Sequence, residues 1–504
     1  ALADAEKDSL KKACYVGGVI GYSEGAALYG CNVQLPEGVS EGCVYGDAYV
    51  GGLAGYNNGV IMSGKGAAAK SIECSADVCG NRYTGGIVGY NGIDSIVSGY
   101  TMSGDVTGTE YVGGFAGLNT SVNLLMNEDG TARIAPANSG NVVGQGYVGG
   151  MIGANMIPTD RDIITGFNSA QITGAIGTEE EQITKRFAGG MIGYNCLLDA
   201  SVLAEEDQDA VRQTISKAAD QAADALQQIQ DQTEVNTKET RDKLLPAFYR
   251  GDAVNKVNAL IIEGNSEQNA DAASGSVSAE MYVGGVLGYN EEETHLTVRN
   301  VVNSLSVTAF GHMLDRSGLE QKNTDGTART YGEDNQFFTY SYVGGIIGKV
   351  GNYSVLENCR NASQAVIKSD GTYLGSLCEI NAGLIRECRV SDFGSSERSH
   401  VGGIAGLNQY SDAKIVYQTA DGEEEHQGGT ICNTEFTDAT ISGHAYVGGI
   451  ASENFGTILD TGISNALIEA QNDYVGAVTG YNHPGASIIQ QNVMTESVMH
   501  VKSP

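Results

Sequence analysis

The sequence predicts an all-β fold, a right-handed parallel β-solenoid of about twelve coils with an inserted long α-helical segment. Two observations favour it. A nine-residue motif recurs twelve times along the 504 residues. The segments between copies are short, rich in β-branched residues and bounded by Gly, Asn or Asp, which is typical of strands and turns. The 70 glycines are accompanied by only six prolines and no collagen period, so a collagen helix is excluded.

The motif is represented by "YVGGVLGYN", Tyr282–Asn290. Its third position is Gly in all twelve copies, and its fourth position is Gly and its ninth is Asn in ten copies each. The copies begin at Tyr15, Tyr49, Tyr83, Tyr111, Tyr147, Phe187, Tyr282, Tyr342, Tyr373, His400, Tyr446 and Tyr474. Residues that represent the structural repeat are Gly51, Gly52, Asn57, Gly85, Gly86, Asn91, Gly284, Gly285, Asn290, Gly402, Gly403 and Asn408.

The spacing of the motif indicates stacking. The shortest spacings are 27, 28 and 28 residues, and a unit with two or three short strands cannot bury its apolar face alone. Stacked copies place like side chains above one another, and twelve coils would give a rod of roughly 55–60 Å. A β-propeller is disfavoured because four antiparallel strands per blade leave little room in 27 residues, and the chain has no Trp.

Each conserved column of the motif has an expected role. Asn at a repeated turn tolerates the left-handed conformation and can hydrogen-bond the Asn of the next coil in a ladder. The glycines either supply a positive φ at corners or let neighbouring backbones approach closely. Alternation within the motif does not decide which of its faces points inward.

Four segments follow from the pattern: an N-terminal helical segment or cap (1–13), coils one to six (14–200), a helical insertion (201–280) and coils seven to twelve (281–504). Within the insertion, Glu205–Leu245 has no Gly or Pro and predicts a helix. Its narrow apolar seam consists of Val211, Ile215, Ala218, Ala222, Ala225 and Ile229. The seam either packs on its own coil or serves assembly by pairing with another chain.

Three further insertions carry polar hairpin signals. They fall at Asn123–Val143, Asn303–Ser341 and Tyr410–Gly429, and each contains an Asp-Gly pair that favours a tight turn. Insertions in repeat proteins map to loops and often carry the binding function. These loops are therefore predicted as binding elements.

Three cysteines occupy similar places in consecutive coils. Cys359, Cys388 and Cys432 lie 14, 12 and 14 residues before the next motif. This spacing predicts a vertical stack, either a buried thiol ladder or a disulfide between neighbouring coils.

The charge limits the partners. The formal net charge of −32 disfavours nucleic acid and anionic membranes, since binding either requires clustered Lys and Arg. No apolar run of about 18 residues occurs, so no segment of this chain is predicted to insert into a membrane. The start "ALADAEKDSL" lacks both Met and an apolar leader, which is interpreted as a mature chain or a fragment.

No motif specifies chemistry. The repeated G-G-x-x-G lacks the Lys-Ser/Thr pair of a phosphate loop. The acidic turns at Asp129, Asp325, Asp421 and Glu423–Glu425 are interpreted as solvated, with Ca²⁺ as the one candidate ion and no other cofactor. His426 is expected to be an exposed loop residue and not half of a zinc site. The chain is predicted not to be an enzyme, with a glycan-active β-helix enzyme as an alternative that needs two placed carboxylates.

The repeat resembles the GLUG-motif repeat of bacterial surface adhesins. "YVGGLAGYNNGVI" (Tyr49–Ile61), "YTGGIVGYNGI" (Tyr83–Ile93) and "HVGGIAGLN" (His400–Asn408) carry the likeness. It is also similar to noncatalytic repeats of immunoglobulin A metallopeptidases, but the H-E-x-x-H of those peptidases is absent. The resemblance implies an extracellular or cell-surface protein. It would bind a host or neighbouring-cell surface protein or glycan, or self-associate into a polymer such as a filament or surface layer.

Overall fold

The chain forms an all-β structure, and the described part contains no helix. The computed structural model describes residues 13–36, 39, 42–62, 72–92, 95–98, 100–120, 123–124, 137–156, 162–164, 167–168, 171–173, 187–196, 259–263, 275–291, 294–309, 312–314, 338–363, 365–369, 371–391, 400–419, 422–489 and 498–501, and the structural statements below concern these residues. Apart from two hairpins, the strands in this part of the chain pair in parallel. The prediction of an all-β stack of parallel strands is confirmed, and the arrangement is consistent with a β-helix or β-solenoid.

Two columns of strands contain the motif. The first half of every copy forms column 1, which consists of one eight-stranded and one four-stranded parallel sheet. Its strands are Cys14–Gly17, Ala48–Gly51, Arg82–Gly85, Glu110–Gly113, Tyr147–Gly149, Phe187–Gly189, Tyr282–Gly284 and Tyr342–Gly344, then Tyr373–Gly375, His400–Gly402, Val447–Gly448 and Val475–Gly476. The second half forms column 2. Its strands are Ile20–Tyr29, Ala54–Met62, Val88–Asn91, Ala116–Asn119, Ile152–Asn155, Ile192–Asn195 and Leu287–Asn290, then Lys349–Val350, Cys378–Asn381, Ala405–Asn408, Ala451–Asn454 and Thr479–Asn482.

Three more columns link one motif copy to the next. Column 3 contains the ends of Ile20–Tyr29 and Ala54–Met62, then Ile96–Ser98, Asn123–Leu124, Asp162–Ile164, Ala259–Glu263, His295–Arg299, Ser354–Glu357, Leu384–Arg386, Thr430–Cys432, Thr457–Leu459 and Ser487–Ile489. Column 4 contains Ile72–Cys74, Tyr100–Met102, Ala137–Asn138, Phe167–Asn168, Val302–Asn303, Arg360–Asn361, Arg389–Val390, Glu435–Thr437 and Gly462–Ser464. Column 5 contains Cys43–Tyr45, Asp77–Cys79, Val106–Thr107, Val142–Val143, Gln171–Thr173, Ser276–Ala279, Ser306–Ala309, Ile367–Ser369, Thr440–Gly443, Leu467–Ala470 and Val498–Val501.

A copy therefore contains more strands than the two or three predicted. The copy that starts at Tyr282 contributes to all five columns. Many of these strands are only two or three residues long, too short for an alternating pattern to distinguish them from the turns between them.

The pairing register places each motif residue beside its equivalent in the next copy. Gly51 pairs with Gly85, and Asn57 pairs with Asn91. This like-on-like stacking is the physical reason for the strict motif, because each position contacts its own copies above and below.

The interior is one continuous apolar core that includes residues from Val50 to Ala470. The motif contributes its second and fifth residues to this core, as at Val50 and Leu53, both fully buried. The first and eighth residues, such as Tyr83 and Tyr90, lie in a separate aromatic cluster. The structure thus assigns the inward face that the alternation left open. Each buried Val or Leu contributes about 1.5–3 kcal/mol.

The motif glycines are required for close approach. A Cβ on Gly52 would overlap the carbonyl oxygen of Gly86 and the sulfur of Cys74. The alternative role, a positive φ, is wrong for these glycines and for the motif Asn residues. In six copies the left-handed residue at this corner is instead the first one, with φ of 54° at Tyr49 and 52° at Tyr83. A left-handed residue with a side chain costs about 1–2 kcal/mol, which the packing of the Tyr ring must offset.

The insertion between copies six and seven has a different end from the one predicted. Ala259–Glu263 and Ser276–Ala279 are strands of columns 3 and 5, so the helical boundary at residue 280 is corrected. Ala259–Glu263 carries a short apolar run and Ser276–Ala279 alternates polar and apolar residues, and both patterns occur in strands. The helix predicted at Glu205–Leu245 with its seam, and the N-terminal segment 1–12, lie outside the described residues.

Candidate functional site

The ninth motif position forms a buried asparagine ladder. In each step the side-chain nitrogen of one Asn donates to the side-chain oxygen of the next. The first run is Asn57 to Asn91 at 3.2 Å, Asn91 to Asn119 at 2.8 Å, Asn119 to Asn155 at 2.9 Å, Asn155 to Asn195 at 2.8 Å and Asn195 to Asn290 at 2.7 Å. The second run is Asn381 to Asn408 at 2.8 Å, Asn408 to Asn454 at 2.7 Å and Asn454 to Asn482 at 2.7 Å. Between them Val350 replaces Asn, and Asn290 donates to the Ser354 hydroxyl at 3.3 Å instead.

The first motif position forms an aromatic column. Neighbouring ring centroids lie 4.6 to 5.3 Å apart along Tyr15, Tyr49, Tyr83, Tyr111, Tyr147, Phe187, Tyr282 and Tyr342. Each such pair contributes about 0.5–1.5 kcal/mol beyond its buried area. In the last four copies the column continues as Tyr373, His400, Tyr446 and Tyr474. The asparagine ladder and the aromatic column both hold neighbouring copies together, so both belong to the scaffold.

A polar cluster interrupts this scaffold in the last four copies. Glu453 Oε1 accepts a hydrogen bond from the Tyr373 hydroxyl at 2.9 Å and lies 3.3 Å from His400 Nε2. Glu453 Oε2 lies 2.6 Å from His483 Nε2. One carboxylate thus contacts three side chains, each from a different copy. These four residues are called the Glu453 cluster below.

The Glu453 cluster forms where the repeat departs from its own pattern. His400 is the single His at the first motif position, where the other copies have Tyr or Phe. Glu453 stands at the eighth position, in register with Leu407 on one side and Tyr481 on the other. A carboxylate is rarely buried unless it is paired, so its placement here indicates a role other than simple packing.

Burial shifts the pKa of two members of the Glu453 cluster, His400 and Tyr373. The His400 side chain is 18% exposed and that of Glu453 is 10% exposed. Burial lowers the pKa of His400, and the nearby Glu453 carboxylate opposes this only in part. Burial and Glu453 together raise the pKa of Tyr373, so its hydroxyl stays a donor. His400 Nδ1 is buried and has no hydrogen-bond partner. The Glu453 cluster is therefore a mostly buried polar contact that joins four copies.

A second buried carboxyl, that of Glu379, lies near Tyr373 of the Glu453 cluster. Glu379 is 4% exposed and accepts a hydrogen bond from the Val343 amide at 3.0 Å. Burial raises the pKa of Glu379 well above its usual range, although the Val343 amide lowers it. This carboxyl is therefore biased toward the neutral form.

The three predicted stacked cysteines are not all brought together. The Cys359 amide donates to the Cys388 sulfur at 3.3 Å, and both thiols are free and buried in the core. Cys432 is also free and buried, but its backbone is in register with Arg386 of the neighbouring strand. Its side chain lies in a separate apolar cluster. The prediction of a three-membered stack is therefore wrong at Cys432. The number of residues between a cysteine and the next motif does not fix the register of that cysteine. The segment after Cys388 is two residues shorter than the segments after Cys359 and Cys432.

Two insertions contain antiparallel strand pairs, and the pair in the insertion at Tyr410–Gly429 agrees with its Asp-Gly hairpin signal. His312–Leu314 pairs with Phe338–Tyr340, and Lys414–Thr419 pairs with Gly422–Gln427. The second, called the 414–427 hairpin, is attached to column 3 by Arg386, which is 3.4 Å from Glu424 and 3.7 Å from Glu357. The tip of the first hairpin and most of the insertion at Asn123–Val143 lie outside the described residues.

The predicted acidic turns provide no metal site in the described part. Asp129, Asp325 and Asp421 lie outside it. His426 is only 17% exposed at its side chain and contacts Glu424 at 3.2 Å, so the expectation of an exposed loop residue is wrong. His426 lies on a hairpin strand, where its backbone pairs with Ile415. No group of three or more His, Cys, Asp or Glu among the described residues is arranged to hold a metal ion. Nor does this part contain a helix suited to crossing a membrane.

Sequence reasoning did not find the Glu453 cluster. Its signal was present as departures from the motif: His400 in a Tyr column and Glu453 at a position otherwise mostly apolar. Each departure looked minor by itself. Their meaning depends on the register that places them in contact.

Comparison with known proteins adds no assignment. No family model matches this chain, and no curated protein or solved structure matches it. Function must therefore be inferred from the residues of the chain and from the resemblance of its repeat.

Proposed function

We propose that the chain is a right-handed parallel β-solenoid of about twelve coils, with a helical insertion, that acts as a structural and adhesive stalk. It stands at a bacterial cell surface and presents its insertions to a host or neighbouring-cell surface protein or glycan. The in-register stack of all twelve motif copies is the observation that carries the proposal. Stacking of identical units gives a scaffold whose insertions project without disturbing the core.

The 414–427 hairpin supports the binding half of the proposal. Its Glu424 and Glu425 side chains are 49% and 57% exposed, and Val416 is 61% exposed. Arg386 connects Glu424 to the stack, so the hairpin has a defined base. A projecting, anchored hairpin with acidic and apolar side chains is suited to a surface with basic and apolar groups.

Deletion tests this role. The variant replaces residues 414–427 with a Gly-Asn turn, and a second variant makes the same replacement at residues 315–337, in another of the insertions predicted to bind. Binding of purified protein to bacterial cells, epithelial cells and a glycan array is measured, with circular dichroism as the check on folding. We expect the first variant to keep its β-spectrum and lose binding to at least one surface. Binding equal to wild type on every surface, or no binding by wild type to any of them, contradicts the adhesive role.

A filament or surface-layer building block is the alternative from the sequence, with assembly through the helical insertion. Electron microscopy of the purified protein with and without Glu205–Leu245 separates the two functions. Polymers that require this segment favour the building block, whereas single rods that bind a surface favour the stalk. Product detection on the same glycan array tests the glycan-active enzyme.

A further inference from the structure

We propose that the Glu453 cluster is an acid-sensitive clamp that holds the last four motif copies together near neutral pH and loosens them in mild acid. This inference does not rest on the adhesive role. It rests on the contacts of Tyr373, His400, Glu453 and His483, which come from copies nine, ten, eleven and twelve in that order.

The geometry of the clamp makes one carboxylate the shared acceptor. Both Glu453 oxygens are used, Oε1 by Tyr373 and His400 and Oε2 by His483. The contacts extend across 80 residues of sequence from Tyr373 to Glu453 and a further 30 to His483. A displacement of the Glu453 carboxylate therefore weakens its contacts with Tyr373, His400 and His483 at the same time.

The rings around the clamp fix the His400 orientation. His400 lies between the tilted Tyr373 ring, at 4.8 Å, and the Tyr446 ring, on which it stacks at 4.4 Å. His483 stacks on Phe455 at 3.5 Å. Because both imidazoles are held in stacks, a change in their charge cannot be relieved by a simple turn into solvent.

Protonation of His400 is unfavourable in this setting for a geometric reason. The neutral tautomer with hydrogen on Nε2 donates to Glu453 and leaves Nδ1 without a hydrogen. The imidazolium adds an N–H at Nδ1, which is buried and has no partner. A buried donor without an acceptor is costly, so the folded clamp favours neutral His400.

Other titratable groups face the clamp from each packed copy. Copy nine supplies Tyr373 and Glu379, copy eleven supplies Tyr446 and Asp473 in addition to Glu453, and copy twelve supplies Tyr474, Tyr481 and His483. The Glu453 carboxylate favours protonated His400, whereas burial of His400 opposes protonation and has the larger effect. Glu379 is biased toward the neutral form and so contributes little of this attraction.

The direction of the pH effect follows from linkage. The unfolded chain binds a proton at His400 near pH 6.5, and the folded clamp binds it only at lower pH. Between these two pKa values the open form gains protons, so acid favours opening. One proton changes the opening constant by up to tenfold per pH unit in this window.

Hydrogen exchange measured at pH 7.5 and pH 5.5 tests the clamp. We expect amide protection factors in residues 400–482 to fall about tenfold at the lower pH, while those in residues 82–119 stay unchanged. His400→Tyr, which restores the residue found at this position in neighbouring copies, is expected to abolish the fall. His444→Gln changes a histidine that contacts Gln471 and Asn472 outside the cluster, and it should leave the fall intact.

Three results would overturn the proposal: no fall in wild type, an equal fall in both regions, or an unaltered fall in His400→Tyr. If the His400→Tyr variant fails to fold, nitrogen NMR of wild-type protein with nitrogen-labelled histidine tests the clamp instead. The spectrum should show His400 with hydrogen on Nε2 at pH 7.5 and a titration midpoint below 6.5. A midpoint above 6.5 contradicts the clamp.

Discussion

The side-chain nitrogen of Asn57 donates a hydrogen bond to the side-chain oxygen of Asn91, 3.2 Å away and one motif copy further along the chain. Asn91 repeats the same contact with Asn119 at 2.8 Å. An amide has one acceptor oxygen and a donor NH₂, so each Asn joins the copies on both sides of it.

Removal of a central Asn should therefore break two contacts. We expect Asn91→Ala to lower the free energy of unfolding by about 2–4 kcal/mol, because it leaves the Asn57 donor and the Asn119 acceptor less satisfied in a buried column. Urea unfolding provides the measurement. Asn482→Ala is the control, since this exposed residue ends the described ladder and should cost less than about 1 kcal/mol. Equal losses in both variants would mean that the ladder adds nothing beyond local turn geometry.

The hydroxyl of Tyr100 should be dispensable. Tyr100 is 1% exposed, its hydroxyl has no hydrogen-bond partner, and its ring stacks on Phe115 at 4.8 Å. Tyr100→Phe keeps the stack and removes a buried polar atom, so stability should rise by about 1 kcal/mol. Thermal unfolding measures the change. Tyr90→Phe is the comparison, because the Tyr90 hydroxyl accepts a hydrogen bond from Thr120 at 3.4 Å and its loss should bring no gain. A loss in Tyr100→Phe would refute the expectation.

Glu379 should make the protein less stable as pH rises. Burial raises the pKa of Glu379, so the folded state keeps a proton that the unfolded state releases above about pH 4.5. Stability from this group is fully present below that pH and is lost as pH rises toward the folded pKa. Glu379→Gln should remove this loss, with a gain at pH 8 of about 1.4 kcal/mol per unit of raised pKa and no gain at pH 4. Urea unfolding at pH 8 and pH 4 measures the change in stability. An equal effect of Glu379→Gln at the two pH values would contradict the raised pKa of Glu379 as its cause.

Gly52→Ala should be strongly destabilising. The new Cβ would meet the backbone oxygen of Gly86, which cannot move without shifting the next copy. We expect a loss of about 3 kcal/mol, at the upper end for an overpacked site. Gly462→Ala is the matched control, because its Cβ would lie 3.5 Å from the Glu435 side chain, an ordinary contact. Denaturant unfolding of both variants compares them, and similar losses would contradict the close contact with Gly86 as the cause.

The sequence was sufficient to predict those features that depend on equal repeats. The Asn ladder and the close approach at Gly52 follow from one residue type recurring at one motif position. Prediction failed where chain length between motifs varies, as at Cys432, which falls in register with Arg386. It also failed at Tyr49, which adopts a positive φ although Gly and Asn are the residues that usually favour this conformation. The Glu453 cluster required both the register and the departures from the motif.

The parallel pairing of successive copies has a mechanical consequence. A chain pulled from its last copy would detach one motif unit at a time, since each copy contacts chiefly its neighbours. A unit of 28 residues releases about 95 Å of extended chain. Each step breaks one set of column contacts, so resistance is renewed with every copy. Under load, a stack of this kind is expected to lengthen stepwise and dissipate mechanical energy while its remaining copies stay folded.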